Sequence, residues 1–514
     1  MKKLPLGIQT FSQIRNEGML YVDKTLLIKK LVDSYKYVFL SRPRRFGKSL
    51  LVSTIAEYFN SNLPLFKGLA VQDQLPDSAF PVIRLDFSRL SYKRTSDLGA
   101  TLISAIRNEA GTGETEGELN LPAEVLVKAV TRLHDTTGKR VVILIDEYDK
   151  PLVDNLENPD LAEANRELLR EFYGVIKSLD EMIEFMFLTG VSKYTKVSIF
   201  SGLNQITDIT LSEEYATICG YTQAELEDNF SDHLARAAEK TGLDKPALLV
   251  RIKEWYNGYS WDGRQRMYNP FAILCFLDFA RFRNYWFETG TPDHLIKIIK
   301  KHKYDLETFD SIELGPSGLE SSDLRNPDLK SLLFQTGYLT VEEVVLLYGV
   351  EKFRLCVPNF EVRNALYSLL FSNLADINTS DASKSSFDLI YSLSNGDVKG
   401  FKATIEALFA RIPANLYIEE ERYYHSLFVM MMYMSGIKIE SEINTNIGRI
   451  DGIIELEDNI YIIELKYSKS PSSGIKQIKE KKYHQRYANS DKTIVLLAVS
   501  FNRQSIAVES EIID

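Results

Sequence analysis

The sequence has few cysteines, no long hydrophobic run and no excess of positive charge. Its three cysteines are odd in number and far apart, which excludes a disulfide framework and a cysteine-based zinc site. The longest apolar run, Leu427–Met434, has eight residues, far fewer than the ~20 that span a bilayer. No apolar core of a signal peptide follows the short basic start. We therefore expect a cytoplasmic protein without a membrane segment.

Charge and composition narrow the class further. The 514 residues include 61 Lys and Arg against 71 Asp and Glu, a formal net charge of −10, so the chain as a whole is not a basic coat for nucleic acid. Apolar residues make up 45%, enough for large cores. The length predicts about three domains.

Two parts of the chain combine short β-rich runs with helical segments. In the first part, their alternation favours a parallel sheet with helices on both faces. The first part has predicted strands at 37–40, 82–86, 141–145 and 185–188. Residues 211–375 are mainly helical in pattern, and the polar stretch 378–386 is typical of a linker or exposed loop. The last part has a predicted helix at 423–434, strands at 452–454, 461–465 and 493–499, and a basic helix at 474–487.

The first candidate site is a phosphate-binding loop between a strand and a helix. The predicted strand 37–40 runs into Arg42–Ser49 and then into the apolar helix 50–59. The loop ends in Gly-Lys-Ser, as in the pattern G-x-x-x-x-G-K-[ST], although Arg42 replaces the first glycine. Exposed amides and the dipole at a helix N-terminus favour phosphate there.

Each residue of this loop has a predicted part in nucleotide binding. Gly47 would let the backbone approach the phosphates, Lys48 would reach the outer phosphates, and Ser49 would bind Mg²⁺ through its hydroxyl. Arg44 and Arg45 are either contacts to phosphate or to a neighbouring subunit, or solvated loop charges.

Acidic and polar residues follow two further strands. The apolar run Val141–Ile145 ends in Asp146 and Glu147. In phosphate-loop enzymes a carboxylate at this point holds Mg²⁺, and a following glutamate can act as general base on the attacking water. Thr189 follows the strand 185–188, where it would sense the γ-phosphate or belong to an ordinary strand-end turn.

These motifs resemble those of the AAA-ATPase-like family over about residues 5–290. The resemblance implies ATP as the nucleotide, Mg²⁺ at Ser49 and Asp146, and hydrolysis through Glu147. Arg166 and Arg170 are candidates for an arginine finger, or ordinary surface charges. The matching stretches are Leu20–Thr25, Arg42–Ser49, Asp146–Pro151, Thr189–Ser192, Ile199–Asn204, Trp255–Tyr259 and Tyr268–Pro270.

The second candidate site lies near the C-terminus. Glu464 and Lys466 are two residues apart on a predicted apolar strand, so they share one face, where charges cost free energy unless they bind each other or a ligand. Asp451 and Glu464 would bind Mg²⁺ for phosphodiester cleavage, and Lys466 would orient the attacking water. Glu421 would complete the acid cluster. The alternative is a β-hairpin with a cross-strand salt bridge.

The order of these residues resembles the PD-(D/E)XK nuclease superfamily over about residues 405–505. The resemblance implies that Glu421, Asp451, Glu464 and Lys466 are catalytic and that Gln477 supports them. Ile450 stands in place of the proline of the superfamily's name.

Residues 466–486 contain seven basic residues and one acid, Glu480. Such a stretch suits nucleic acid held by its backbone, DNA in the first place. The alternative is a solvated charged face. The sequence leaves self-association into a homo-oligomer open.

We predict an α/β chain with an AAA-type ATPase core at 1–215, its helical lid at 216–300, a helical connector at 301–400 and a nuclease-like domain at 401–514. The leading functional hypothesis is an ATPase that couples nucleotide turnover to a Mg²⁺-dependent nuclease. The alternative is an ATP-driven switch that binds nucleic acid or a protein without cutting. A third hypothesis, translocation along DNA, requires assembly into a ring.

Overall fold

The computed structural model of the chain describes residues 1–111, 121–192, 205–287, 312–319, 328–374, 379–412, 420–445, 448–502 and 505–513. These residues form two compact units. The first holds the described residues up to 287 together with 312–359, and the second holds those from 360 onward. The motif Ile199–Asn204 lies outside the described residues. No helix in the described ranges is both long and apolar enough to cross a membrane.

A five-stranded sheet forms the centre of the first unit. Its strands lie in the order β2-β3-β4-β1-β5, and the neighbouring strands are parallel. Strands β1 and β3 are buried along their whole length, as expected for a sheet covered on both faces. The parallel α/β fold predicted from the alternating pattern is therefore confirmed. The strands are β1 (Tyr37–Ser41), β2 (Val82–Asp86), β3 (Val141–Asp146), β4 (Ile183–Gly190) and β5 (Thr207–Asp208).

Helices surround this sheet and continue beyond it. Helix α3 packs on β2, β3 and β4, and α5 and α6 pack on β2 and β3. Helices up to β4 are α1 (Phe11–Asn16), α2 (Thr25–Ser34), α3 (Lys48–Phe59), α4 (Leu63–Phe66), α5 (Thr95–Glu109), α6 (Pro122–Thr137), α7 (Lys150–Val153) and α8 (Pro159–Gly174). Those after β5 are α9 (Gln223–Asn229), α10 (Ser231–Thr241), α11 (Lys245–Tyr256) and α12 (Pro270–Phe279).

The helices after β5 share a hydrophobic core of their own, which also takes in Leu20 and Val22 from the start of the chain. The start of α12 follows the capping rules: the side chain of Asn269 accepts a hydrogen bond from the amide of Ala272 at 3.1 Å, and Pro270 is the first helical residue. This core places α12 beside the phosphate loop described below.

The region between these helices and the second unit contains a small sheet that the sequence pattern did not predict. The sheet consists of the antiparallel strands β6 (Ile312–Leu314), β7 (Thr340–Leu347) and β8 (Val350–Cys356), in the order β6-β8-β7, and helix α13 (Leu329–Thr336) precedes β7. Tyr348 and Gly349, both with positive φ, form the two-residue turn of the β7–β8 hairpin. The turn lacks the Asn-Gly or Asp-Gly pair that usually marks such a hairpin in a sequence.

The second unit is a mixed five-stranded sheet with helices. The strands lie in the order β13-β12-β11-β10-β9, with β11 and β12 parallel and the other neighbours antiparallel. Its helices are α14 (Phe360–Leu374), α15 (Thr379–Ser394), α16 (Val398–Phe409), α17 (Glu421–Met434) and α18 (Pro471–Glu480). Its strands are β9 (Glu440–Thr445), β10 (Gly448–Glu455), β11 (Asn459–Tyr467), β12 (Thr493–Phe501) and β13 (Ile506–Ile513).

Two local predictions in this unit were wrong. From Thr379 onward the polar stretch 378–386 begins helix α15 instead of forming a linker. Leu389 and Leu393, four residues apart, are buried on one face of this helix, and that packing outweighs the low helix propensity of its serines. The basic helix ends at 480 and gives way to a 3₁₀ turn, because Lys482 adopts a left-handed conformation.

Gly190, at the end of β4, gives a test of the first unit. A Cβ atom built there would lie 2.4 Å from an Asp149 carboxylate oxygen and 2.7 Å from the Tyr148 ring. We expect Gly190→Ala to lower the free energy of unfolding by about 1–3 kcal/mol, because the added methyl group has no space. The three tryptophans all lie in the first unit, so urea unfolding followed by tryptophan fluorescence reports on it.

The matched control is Gly174→Ala. Gly174 is the last residue of α8, has a helical φ, and would have no atom within 4 Å of an added Cβ. This change should leave stability unchanged or raise it slightly. Equal effects of the two substitutions would contradict the close packing at the end of β4.

Candidate active sites

The phosphate loop joins β1 to α3, as the sequence predicts. Gly47 caps α3 in the left-handed region at φ +91°, where residues other than glycine are strained. Arg45 also has a positive φ, 67°. The guanidinium of Arg45 lies 4.8 Å from the centre of the Phe271 ring on α12. The loop therefore faces α12 across the opening of the site.

Arg42, which replaces the first glycine of the loop pattern, is fully buried. Its guanidinium donates hydrogen bonds to the carbonyls of Ser41 and Thr210, at 2.9 and 2.8 Å, and of Tyr215 at 3.4 Å. The same group lies 3.9 Å from the centre of the Trp261 ring. Burial lowers the pKa of Arg42 to about 10. The arginine fixes the start of the loop to the segment after β5, a role that the motif alone did not reveal.

Aromatic residues hold the rest of the loop. The buried ring of Phe46 makes edge contacts with Tyr259 and Trp261, with ring centres 4.7 and 5.3 Å apart. The indole nitrogen of Trp286 donates to the carbonyl of Arg44 at 3.1 Å. These contacts preorganise the loop backbone from behind, so its amides keep their positions.

Lys48 is almost completely buried at the start of α3. Its Nζ donates to the carbonyls of Arg42 and Pro43 at 2.9 and 3.1 Å. Burial lowers the pKa of Lys48, while the nearby carboxylates of Glu147 and Asp146 act in the opposite direction. The ammonium group thus lies among the oxygens of its own loop and the two acids.

Ser49 and Asp146 come together as predicted. Asp146 is buried at the end of β3, and the nearby Ser49 hydroxyl favours the charged form of its carboxylate. Burial raises the pKa of Asp146. Its Oδ1 atom is buried without a hydrogen-bond partner, although such oxygens are nearly always paired. A hydroxyl beside an unpaired carboxylate oxygen fits Mg²⁺, which takes few protein ligands and keeps sites for phosphate and water.

Glu147 follows in a left-handed conformation, φ 52°, which turns the chain at the end of β3. It lines a cavity of about 300 Å³, and the loop residues Arg44, Arg45, Gly47, Lys48 and Ser49 line the same cavity. Burial raises the pKa of Glu147, and the charge of Lys48 partly opposes this shift. The remaining lining residues are Pro5, Gly7, Ile8, Gln9, Leu50, Lys150, Tyr221, Pro270, Phe271 and Leu274.

Thr189 does not line this cavity. It is fully buried, and its hydroxyl donates to the Leu40 carbonyl of β1 at 2.8 Å. That bond satisfies the buried hydroxyl inside the sheet, so we assign Thr189 no role in sensing phosphate. Arg166 and Arg170 do not line the cavity either, and both are paired on the surface of α8 with neighbouring glutamates, Glu163 and Glu167.

Asp149 has a structural part that sequence reasoning missed. Its buried carboxylate accepts hydrogen bonds from the amides of Val191 and Ser192, at 3.1 and 2.7 Å, and from the Ser192 hydroxyl at 2.7 Å. Asp149 therefore ties the turn after β3 to the turn after β4. A buried carboxylate needs such donors, but the motif does not say where they come from.

In the second unit, Asp451, Glu464 and Lys466 meet on neighbouring strands. The Asp451 carboxylate accepts the amide of Leu465 at 2.9 Å. Lys466 Nζ donates to Glu464 Oε1 at 2.6 Å, and both side chains are buried. The predicted common face of Glu464 and Lys466 is present, together with an ion pair along the strand.

Glu464 is the most perturbed acid of this site. Burial, followed by the charge of Asp451, raises the pKa of Glu464 to about 7. Gln477 of α18 donates to Glu464 Oε1, while Oε2 is buried without a partner. Gly474 lets α18 approach this closely, since a Cβ there would lie 3.5 Å from the Glu464 side chain and 2.9 Å from Ala498. A buried carboxylate oxygen without a partner, in an acid that feels the charge of Asp451, fits a ligand of a divalent cation.

Helix α17 contacts both acid-bearing strands. Glu421 is exposed and accepts the amide of Tyr467 at 3.3 Å, so it holds the end of β11. Across the described ranges, no three His, Cys, Asp or Glu side chains form a group that could hold a metal. Glu421 thus does not complete a three-acid cluster with Asp451 and Glu464. His425, one turn further on, is hydrogen-bonded through Nε2 to the Asp451 carbonyl at 2.9 Å, a contact that sequence reasoning missed.

The basic residues of the predicted nucleic-acid surface are mostly exposed. Lys476 and Lys479 pair with Glu480 and Glu511 on the surface. Lys481 acts on Glu464, because its charge lowers the pKa of that acid. The remaining members of the set are Lys469, Lys482, Arg486 and the buried Lys466 of the acid site.

Comparisons with known proteins match the two parts of the chain that contain these sites. Residues 5–200 match the family described as Predicted AAA-ATPase, and residues 419–511 match the PD-(D/E)XK nuclease superfamily. One relative is the "Uncharacterized protein in vnfD 5'region" of Azotobacter chroococcum mcd 1. It is 36% identical over 526 residues, which cover 100% of this chain and 99% of the relative. The chain therefore belongs to the AAA-ATPase-like family, with a C-terminal domain of the PD-(D/E)XK nuclease superfamily.

Proposed function

We propose that this protein is a Mg²⁺-dependent ATPase whose nucleotide turnover controls a Mg²⁺-dependent nuclease site acting on nucleic acid, DNA in the first place. One observation carries the proposal. Each unit holds a buried carboxylate with an unpaired oxygen beside a buried lysine: Asp146 with Lys48, and Glu464 with Lys466. Such groups are expensive to bury, and both are arranged as ligands for a cation and a phosphate.

In the ATPase site, the loop amides and Lys48 bind the phosphates of ATP. Ser49 and Asp146 hold Mg²⁺, which when bound neutralises charge on the phosphates. Glu147, on the wall of the same cavity, takes the proton of the attacking water. Its raised pKa brings it closer to neutrality, where a general base works best.

In the nuclease site, Asp451 and Glu464 hold Mg²⁺, which when bound polarises the phosphodiester and lowers the pKa of a water. Lys466 orients the attacking water and stabilises the charge that develops on the phosphate. Gln477 keeps Glu464 in place. The exposed lysines around α18 hold the nucleic-acid backbone without reading its sequence.

The first prediction concerns Lys48. Lys48→Ala should weaken ATP binding by about 10- to 100-fold, since a charged hydrogen bond contributes about 1.5–3 kcal/mol, without changing the fold. Titration calorimetry with ATP and Mg²⁺ measures the affinity. The control is Lys93→Ala, at an exposed lysine outside the cavity. Unchanged affinity in Lys48→Ala would refute the loop assignment.

The second prediction separates binding from hydrolysis. Glu147→Gln should keep the affinity for ATP while turnover falls about 10²- to 10⁴-fold, because only the base is neutralised. Phosphate release measures turnover. A variant that still hydrolyses ATP at the wild-type rate would move the base elsewhere.

The third prediction concerns DNA and pH. With Mg²⁺, wild-type protein should cut supercoiled or single-stranded DNA, and Glu464→Gln should not. Because protons compete with Mg²⁺ for a carboxylate of pKa about 7, Mg²⁺ affinity and cleavage should rise between about pH 6 and pH 8. Glu457→Gln, at an exposed acid in the β10–β11 turn, is the control.

The protonation of Glu464 should also change the pH dependence of the protein's stability when no metal is bound. The raised pKa means that the folded protein holds a proton on Glu464 that the unfolded chain has lost, in the window from about pH 4.5 to 7. The free energy of unfolding should therefore decrease as pH rises through this window, and Glu464→Gln should reduce that slope.

The cleavage experiment also tests the alternative function. If the protein retains DNA in an ATP-dependent manner but never cuts it, the switch hypothesis replaces the nuclease hypothesis.

A further inference from the structure

The ATPase site contains a positively charged side chain, that of Lys150, to which neither the loop pattern nor the proposed function assigns a role. Lys150 lines the cavity of about 300 Å³ together with Glu147 and Lys48. It is the first residue of α7, directly after the turn at Glu147, and its amide donates to the Glu147 carbonyl at 3.1 Å. The turn therefore places the side chains of Glu147 and Lys150 on the same wall of the site.

A second, smaller cavity of about 30 Å³ adjoins these residues, and Arg44, Glu147 and Lys150 line both. A water molecule occupies about 30 Å³ in the liquid, so this chamber has room for one. Polar groups are available around it, among them Ser192. A water in the chamber would lie beside Glu147, where a general base has to be.

The far side of this chamber is closed by the chain itself. Leu332 and Thr336 of α13 line it. Just after α13, Gly337 lies so close to the phosphate loop that a Cβ there would be 2.7 Å from the Pro43 side chain. Trp286 adds its hydrogen bond to Arg44 from the same side. Residues of this chain's own helix α13 therefore form part of the wall beside Glu147 and Lys150.

Hydrolysis is accelerated by a positively charged side chain beside the γ-phosphoryl group, in addition to the loop lysine and Mg²⁺, supplied within the chain or by a partner. Arg166 and Arg170 are paired with glutamates and lie away from the cavity. Lys150 forms an ion pair with Asp154 at 3.1 Å on the surface of α7. Such a half-exposed pair contributes at most about 1 kcal/mol, so the ammonium group can leave it and turn toward phosphate.

On the basis of the proposed ATPase function, we propose that Lys150 is a catalytic residue that stabilises the γ-phosphoryl group during hydrolysis. It acts within its own chain, so no second subunit has to complete the site. The water oxygen forms a bond to the γ-phosphorus, and the bond from that phosphorus to the β–γ bridging oxygen breaks. ADP leaves with the electron pair, and the water's proton passes to Glu147. Lys150 balances the negative charge on the oxygens of the transferred γ-phosphoryl group while this occurs.

The first test compares Lys150→Ala, Lys150→Arg and the control Lys177→Ala, an exposed lysine outside both cavities. Lys150→Ala should keep its affinity for ADP but lose about 100-fold in kcat, the usual effect of removing one stabilising donor. It should also bind ADP with aluminium fluoride, a mimic of the transition state, about 100-fold more weakly than wild type. Lys150→Arg should recover part of both losses.

Unchanged kcat and unchanged affinity for the fluoride complex in Lys150→Ala would overturn the assignment. A parallel loss of ADP affinity would also overturn it, since Lys150 would then be needed for ground-state binding. Asp154→Asn keeps the lysine and removes its partner, so it should retain turnover. This variant checks that an effect at Lys150 does not come from the loss of the pair.

The second test asks whether the residue acts in the same chain. Lys48→Ala chains keep Lys150 but bind ATP weakly, while Lys150→Ala chains bind ATP but lack the cation. A mixture of the two should remain inactive. Recovery of turnover in the mixture would show action between chains and overturn the proposal. Absence of ATP hydrolysis in wild-type protein would instead refute the proposed function, so the two failures are distinguishable.

Discussion

Both sites depend on the same constraint: ionisable side chains are buried, on strands or at the start of a helix, where water cannot solvate them. Lys48, Asp146, Glu464 and Lys466 are all less than a tenth exposed. An ion in that environment is several kcal/mol less stable than in water unless opposite charges or hydrogen bonds compensate it. The proteins that keep such groups use them, because apolar residues of equal size would stabilise the fold at least as well.

The two units meet this constraint in different ways. In the ATPase unit, Lys48 is surrounded by loop carbonyls and lies near two acids, so the positive charge is shared over several partners. In the nuclease-like unit, one lysine and one glutamine bind a single oxygen of Glu464, and its other oxygen has no partner. The second arrangement leaves more of the cost uncompensated, which agrees with the raised pKa of that acid.

Backbone geometry makes this burial sterically possible. Gly190 and Gly474 stand where a side chain would collide with a neighbour of the site, the first beside Asp149 and the second beside Ala498 near Glu464. Gly47 instead supplies a left-handed turn that opens the helix N-terminus toward the cavity. Each glycine therefore allows a charged group to take its position. At Gly190 and Gly474 a side chain would have no space, whereas Gly47 needs its left-handed conformation.

The parts of the fold whose signal is local could be predicted from the sequence. A buried strand followed by Gly-Lys-Ser, or by two acids, has a pattern contained in a short stretch of chain, and β1, β3 and β11 appeared where expected. The positions of Arg42, Asp149 and His425 could not be derived in that way. Their partners are 168, 43 and 26 residues away along the chain, and tertiary packing alone brings them together.

Thr189 and Lys150 show the same limit from opposite directions. Thr189 is in the place where a phosphate sensor is expected, but its hydroxyl bonds to β1 because β1 and β4 are neighbours in the sheet. Lys150 follows the acid pair in a stretch that the family resemblance included, yet the role in ATP hydrolysis that we propose for it depends on the left-handed turn at Glu147. A polar residue near a motif becomes part of a site only when the backbone turns it toward the cavity.

The close approach of α13 and Gly337 to the phosphate loop limits how that loop can move. Residues 312–359 belong to the same compact unit as the phosphate loop, although the sequence pattern assigned them to a connector. Pro43 and Arg44 contact Gly337 and Trp286 directly. Any movement of the loop on nucleotide binding must therefore be accommodated by α13 and the hairpin that follows it. This hairpin ends at Cys356, and the described residues that follow it in the second unit begin four residues later, at Phe360. The segment that has to adjust to the loop therefore directly precedes those residues in the sequence.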